Sequence, residues 1–162
     1  MKRLLIVLLL LAFTSFAYAG AATVTGTSTP YYSRSDGKLE GYIVHLICTA
    51  SSPATTLSNS IDTISGVSTY LLNGTRLNSV KAYPGATAPT DATDITITDP
   101  YGIDLLGGKG TDLIDSASKT ETLVGPSGAY APMRSIGTKS ISITNNSVSE
   151  AIMNIVLDFV TR

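Results

Sequence analysis

The chain has one histidine and one cysteine, and they lie close together in the run Tyr42-Ile43-Val44-His45-Leu46-Ile47-Cys48. A separation of three puts them on opposite faces of a strand. A zinc site needs several such ligands converging on one point, so these two residues exclude zinc. A Ser-His-Asp triad would have to use His45 as its base. No Gly-x-Ser-x-Gly elbow accompanies it, and a mid-strand position in an apolar run reads as structural. Cys48 in the same run reads as a small buried core residue. Two Ser-x-x-Lys matches occur, Ser35 to Lys38 and Ser116 to Lys119. That spacing activates serine only when a helix sets the lysine beside it, and both copies fall in turn-rich sequence without companion motifs. Gly107-Gly108-Lys109-Gly110-Thr111 lacks the Gly-Lys-Ser/Thr order of a phosphate loop.

Carboxylates are the remaining chemistry. Asp91, Asp94, Asp99, Asp104, Asp112 and Asp115 fall within one short stretch, and clustered hard oxygen ligands suit calcium. Asp94 is explained as a solvated strand residue and Asp99 as a turn starter. Asp104, Asp112 and Asp115 are left as weak calcium candidates, with no Asp-x-Asp-x-Asp-Gly loop behind them. Glu40, Glu121 and Glu150 are the only glutamates, so a glycosidase pair would have to recruit an aspartate. There is no tryptophan, and the tyrosines form no local sugar-stacking platform. The residues thus predict no catalytic site, no cofactor and no firmly supported metal.

The elements that would carry these residues are short strands between strong turns. Thr23 to Thr29 reads as an edge strand or a flexible lead-in, and Ser35-Asp36-Gly37-Lys38 as a tight hairpin turn, because Asp-Gly supplies positive φ. Leu39 to Ala50 is a long strand, apolar on both faces, which predicts a central strand covered on both sides. Ser51 to Ser60, with Pro53, reads as a connection. Ile61 to Leu72 predicts one or two short strands broken at Gly66. Asn73-Gly74 is a turn, and Arg76 to Tyr83 a strand burying Leu77 and Val80. Ala92 to Asp99 alternates with Ile95 and Ile97 inward. Asp99-Pro100-Tyr101-Gly102 fits a β-turn with proline second, after which Ile103 to Leu106 would return antiparallel. Gly107 to Ser118 reads as a surface loop, Lys119 to Val124 as a strand, and Gly125 to Ile136 as a crossing loop. Thr138 to Thr144 and Ala151 to Thr161 close the fold, the last burying Met153, Ile155, Leu157 and Phe159. Seven to nine short strands predict a single all-β, antiparallel β-sandwich or jelly-roll-like domain.

Composition sets the surroundings. Lys2 and Arg3 precede an apolar run from Leu4 to Phe16, and Ala17-Tyr18-Ala19 supplies a small-x-small cleavage pattern. The run is shorter than the roughly 20 residues of a spanning helix. The expectation is a signal peptide over residues 1–19, cleaved after Ala19, then one domain over residues 20–162 without a stable membrane anchor. The protein is expected to be exported: periplasmic, extracellular or particle-associated. Losing Lys2 and Arg3 leaves 9 basic against 12 acidic residues, a mature charge of −3. With no basic patch, nucleic acid is not an expected partner.

One stretch resembles a known family. Pro84 to Asp91 (ProGlyAlaThrAlaProThrAsp), Asp94 to Asp99 (AspIleThrIleThrAsp) and Gly102 to Gly108 (GlyIleAspLeuLeuGlyGly) are similar to segments of small virion structural proteins of tailed bacteriophages and prophages. Ala129 to Pro132 and Ser142 to Asn146 fall where those proteins have similar turns and strands. The resemblance implies a β-rich, non-enzymatic, oligomeric module of a phage particle, with other virion or cell-surface proteins as partners. The leader departs from that picture, because virion proteins assemble in the cytoplasm. The leading expectation is a non-enzymatic structural or attachment module working through its surface and homo-oligomeric packing. The alternatives are an extracytoplasmic ligand- or glycan-binding domain of the cell envelope and a small secreted hydrolase.

Overall fold

The computed structural model describes residues 21–51, 56–67, 72–124 and 137–161. The expected signal peptide (residues 1–19), part of the Ser/Thr/Pro connection and the Gly125 to Ile136 segment lie outside the described residues. Two antiparallel sheets hold the described strands. The larger has the order β1 (Thr23–Tyr32), β2 (Leu39–Thr49), β8 (Ile152–Val160), β4 (Arg76–Pro84), β6 (Thr120–Leu123). The smaller has the order β3 (Leu57–Ser60), β7 (Ser140–Thr144), β5 (Asp94–Thr98). The fold is all-β and sandwich-like, with one apolar cluster between the sheets.

Alternation drives this arrangement. The register pairs Cys48 with Met153, Leu46 with Ile155, Val44 with Leu157 and Tyr42 with Phe159, and all eight side chains are buried. From the other sheet Ile95, Ile97, Ile141 and Ile143 meet them. Removing such aliphatic side chains from water contributes about 1.5–3 kcal/mol each, which fixes the register, since a slip by one residue would turn every one of them outward.

Several expectations need correction. β2 is central in its sheet but covered on one face only: Ile43 is half-buried and Ile47 is 41% exposed. Its outward isoleucines satisfy strand propensity, not a second layer. Within Ser51 to Ser60, residues Leu57–Ser60 are strand β3, drawn into the sheet by buried Leu57 and pairing with β7. Ile61–Thr63, expected as strand, is a 3-10 turn, followed by a bend at Gly66 with φ +91°. Gly107 to Ser118 is no plain surface loop. Leu113 and Ile114, with Leu106 before them, are buried, and the segment straps the edge of β5 through Leu105 N to Ile97 O, Ile95 N to Gly110 O and a reciprocal pair between Thr93 and Ile114. The expected antiparallel return after the Asp99 turn is the start of this strap, reduced to a single bridge between Thr98 and Asp104.

The remaining turns follow their residues. Thr23–Tyr32 is the edge strand of the larger sheet. The β1–β2 connection spans residues 33–38, longer than a two-residue hairpin, with Gly37 at φ +66° and Ser33 N donating to Lys38 O. Asp99 Oδ1 accepts from Tyr101 N and Ile103 N while Gly102 N closes the turn on Asp99 O.

Candidate functional site: the outer face and the acidic loops

The outer face of the larger sheet gathers the polar groups that the fold positions most firmly. On β1, Thr25, Thr27, Thr29 and Tyr31 alternate outward, opposite Ile47, His45, Ile43 and Gly41 of β2. Gly41 matters because the Tyr31 ring lies over it: a Cβ at Gly41 would come within 2.6 Å of the Tyr31 hydroxyl. That gap lets Tyr31 cross β2 and donate to Asp158 Oδ1 on β8 at 3.0 Å. A bulge in β4 between Leu77 and Ser79 accompanies Asn78, whose Nδ2 donates to Asp158 Oδ2 at 2.8 Å. Asp158 thus joins three strands. Burial, then the hydrogen bond to Asp158 and the negative charges of Asp158 and Glu40, push the Tyr31 hydroxyl up to about 12. It is a donor through the physiological range.

His45 belongs to a second group on the same face. Its Nε2 lies 3.2 Å from the Tyr83 hydroxyl, with the rings stacked at 6.3 Å between centroids. Lys119 Nζ sits 5.7 Å above the Tyr83 ring, a cation–π distance. Lys81 and Glu121 pair at 3.1 Å beside them. His45 therefore bonds a phenol rather than a carboxylate. Both oxygens of Asp158, a nearby acid on that face, are occupied by Tyr31 and Asn78.

The acidic loops spend their carboxylates on backbone. Asp104 accepts from Leu106 N at 2.9 Å and Gly108 N at 2.7 Å. Asp115 accepts from Ala117 N and Ser118 N, and those amides hold its carboxyl below the usual range. Asp112 has φ +52° and donates its own amide to Asp94 Oδ1; Asp94 Oδ2 takes Asn145 Nδ2. Asp104, Asp112 and Asp115 are not brought together, and among the described residues no three His, Cys, Asp or Glu side chains form a metal-sized group.

The other motifs also have structural uses. Lys109 of the glycine-rich run donates Nζ to Leu123 O at 2.8 Å, tying the strap to β6. Lys38 pairs with Asp36 at 3.0 Å, while Ser35 and Ser33 share a hydroxyl bond. Cys48 is fully buried, and burial pushes its thiol up to about 12, so the reactive thiolate is suppressed.

Two features escaped the sequence. Asp158 alternates with the residues expected to be buried on the last strand, and only the glycine opposite Tyr31 hints at a ring crossing. Lys139, to which the sequence assigns no role within the strand expected over Thr138 to Thr144, is fully buried, with Nζ donating to Gly137 O at 3.0 Å. Burial lowers its pKa against the opposing charge of Asp62, and one Asp62 oxygen is buried with no hydrogen-bond partner among the described residues. Comparison with models of known families, with curated proteins and with solved structures returned no match.

Proposed function

We propose that the chain is a jelly-roll domain acting as a non-enzymatic structural or attachment module, virion-like in kind, exported, and working through homo-oligomeric surfaces. The observation that carries this reading is the strand order. Setting aside the added edge strand β1, the larger sheet runs β2-β8-β4-β6 and the smaller β3-β7-β5, with the Asp104 to Ile114 strap in the place of an eighth strand beside β5. That is the interleaving of two Greek keys, an architecture used by viral capsid and lectin domains. The step from architecture to role is an analogy of fold. It is supported by the resemblance over Pro84 to Gly108, and by side chains whose hydrogen bonds serve the fold. The alternative, a ligand- or glycan-binding domain, is favoured by one observation: Tyr101 is 82% exposed on a turn pinned by Asp99, and exposed aromatics suit sugar faces.

The test is the molar mass of the mature protein by light scattering, together with its gene neighbourhood. The module reading expects a trimer or larger ring and neighbouring capsid or tail genes. A monomer beside envelope or polysaccharide genes would overturn it, and binding on a glycan array that is lost in Tyr101→Ala would establish the alternative.

A further inference from the structure

Among the described residues, the edge of β1 is covered by an unusual backbone contact. Ser28 donates both its amide (3.0 Å) and its hydroxyl (3.3 Å) to Gly66 O. The Ser28 amide therefore points away from β2. By the alternation of an antiparallel ladder the amides of Val24 and Gly26 point the same way, and Pro30 contributes none. Gly66 lies so close that a Cβ there would sit 2.5 Å from Gly26 O, and its φ of +91° excludes ordinary side chains. Gly26 is closed from the other side, with Leu46 and Val67 filling the space of its missing Cβ. The covering segment is anchored by Ile61, Ile64 and Val67, all buried, and by Ile61 N on Lys139 O at 2.8 Å.

β1 needs such cover. Edge strands usually carry lysine or another charge that discourages pairing with a second chain. From Ala21 to Ser33 this chain has no charged residue. Two such strands brought together about a two-fold axis meet no like-charge repulsion and present matching Thr- and Ser-rich faces.

We propose that residues 61–67 are a guard over the β1 edge, and that displacing this guard turns β1 into a docking strand for the β1 edge of a second copy of this chain. The contact at Gly66 decides which state holds. The inference is independent of the oligomer proposed above, because it concerns association added to that of the wild type.

Gly66→Val and the milder Gly66→Ala force the guard off Gly26 O. In light scattering the folded variants, checked by circular dichroism, should show a concentration-dependent rise to about twice the wild-type molar mass, the value for isologous edge pairing. Adding Ser28→Pro, which removes the edge-facing Ser28 amide without touching the β1–β2 ladder, should restore the wild-type mass. Hydrogen exchange should find the Ser28 amide protected in the wild type, and protected in Gly66→Ala only at concentrations where it associates. If Gly66→Val does not fold, Gly66→Ala decides. A folded variant with the wild-type mass at every concentration overturns the proposal, as does association that survives Ser28→Pro.

Discussion

Gly110→Ala tests whether the strap is a structural member of the smaller sheet. A Cβ at this position would overlap the Ile95 carbonyl oxygen and come within 2.8 Å of Leu106 Cδ1. Neither can retreat cheaply, because Ile95 is in β5 with its amide bonded to Gly110 O at 2.8 Å, and Leu106 is buried. The strap must lift. Losing the Ile95 amide bond costs about 1 kcal/mol, and partly exposing Leu106 and Ile114 costs about 1–2 kcal/mol each. The expected loss is about 3–5 kcal/mol, or a fall in Tm of about 10–20 °C for a domain of this size. Gly108→Ala is the control: it meets open space and carries only the strain of its φ of +80°, worth about 1–2 kcal/mol. Thermal unfolding followed by circular dichroism measures both. If Gly110→Ala lies within about 1 kcal/mol of the wild type, or falls no further than Gly108→Ala, the strap is a dispensable surface loop and not a member of the smaller sheet.

Three further predictions follow from the buried and bridging groups. The thiol of Cys48 and the phenol of Tyr31 both have folded pKa values raised to about 12. Groups raised in the folded state contribute stability below their unfolded pKa and lose it as pH climbs, so urea midpoints should fall between about pH 9 and 12. For Cys48, three units correspond to about 4 kcal/mol at most, and Cys48→Ala should flatten the fall; an unchanged slope would contradict the assignment. Lys139 has the opposite sign, being lowered by burial, and replacing it together with its acid, as Lys139→Met with Asp62→Asn, should raise stability at neutral pH by about 1–4 kcal/mol; a loss in urea unfolding would mean the pair is a net support. Tyr31→Phe removes the donor to Asp158 and should cost about 1 kcal/mol, and in an Asp158→Ala background it should cost less, a coupling read from the double-mutant cycle.

Much of the sandwich is legible because its strands alternate. β5, β7 and β8 each send isoleucine, leucine, methionine or phenylalanine inward at every second residue, and the structure buries those residues. β3 was hidden because Leu57–Ser60 is three polar residues behind one leucine, and its place comes from pairing with β7 rather than from propensity. The strap was hidden by its glycines and aspartates, though Leu106, Leu113 and Ile114 were a visible sign that a loop so apolar must pack. β2 misled in the other direction, since an isoleucine on a strand is equally at home half-exposed. The outer-face network was beyond the sequence: nothing local links Tyr31 to Asp158, and the pairing arises from a glycine on one strand and a bulge on another.

Whether the proposed surface-acting module assembles with itself is read from the molar mass of residues 20–162 across a concentration series by light scattering. Self-assembly of the proposed kind gives a trimer or larger closed ring that persists on dilution; a monomer at every concentration rules it out.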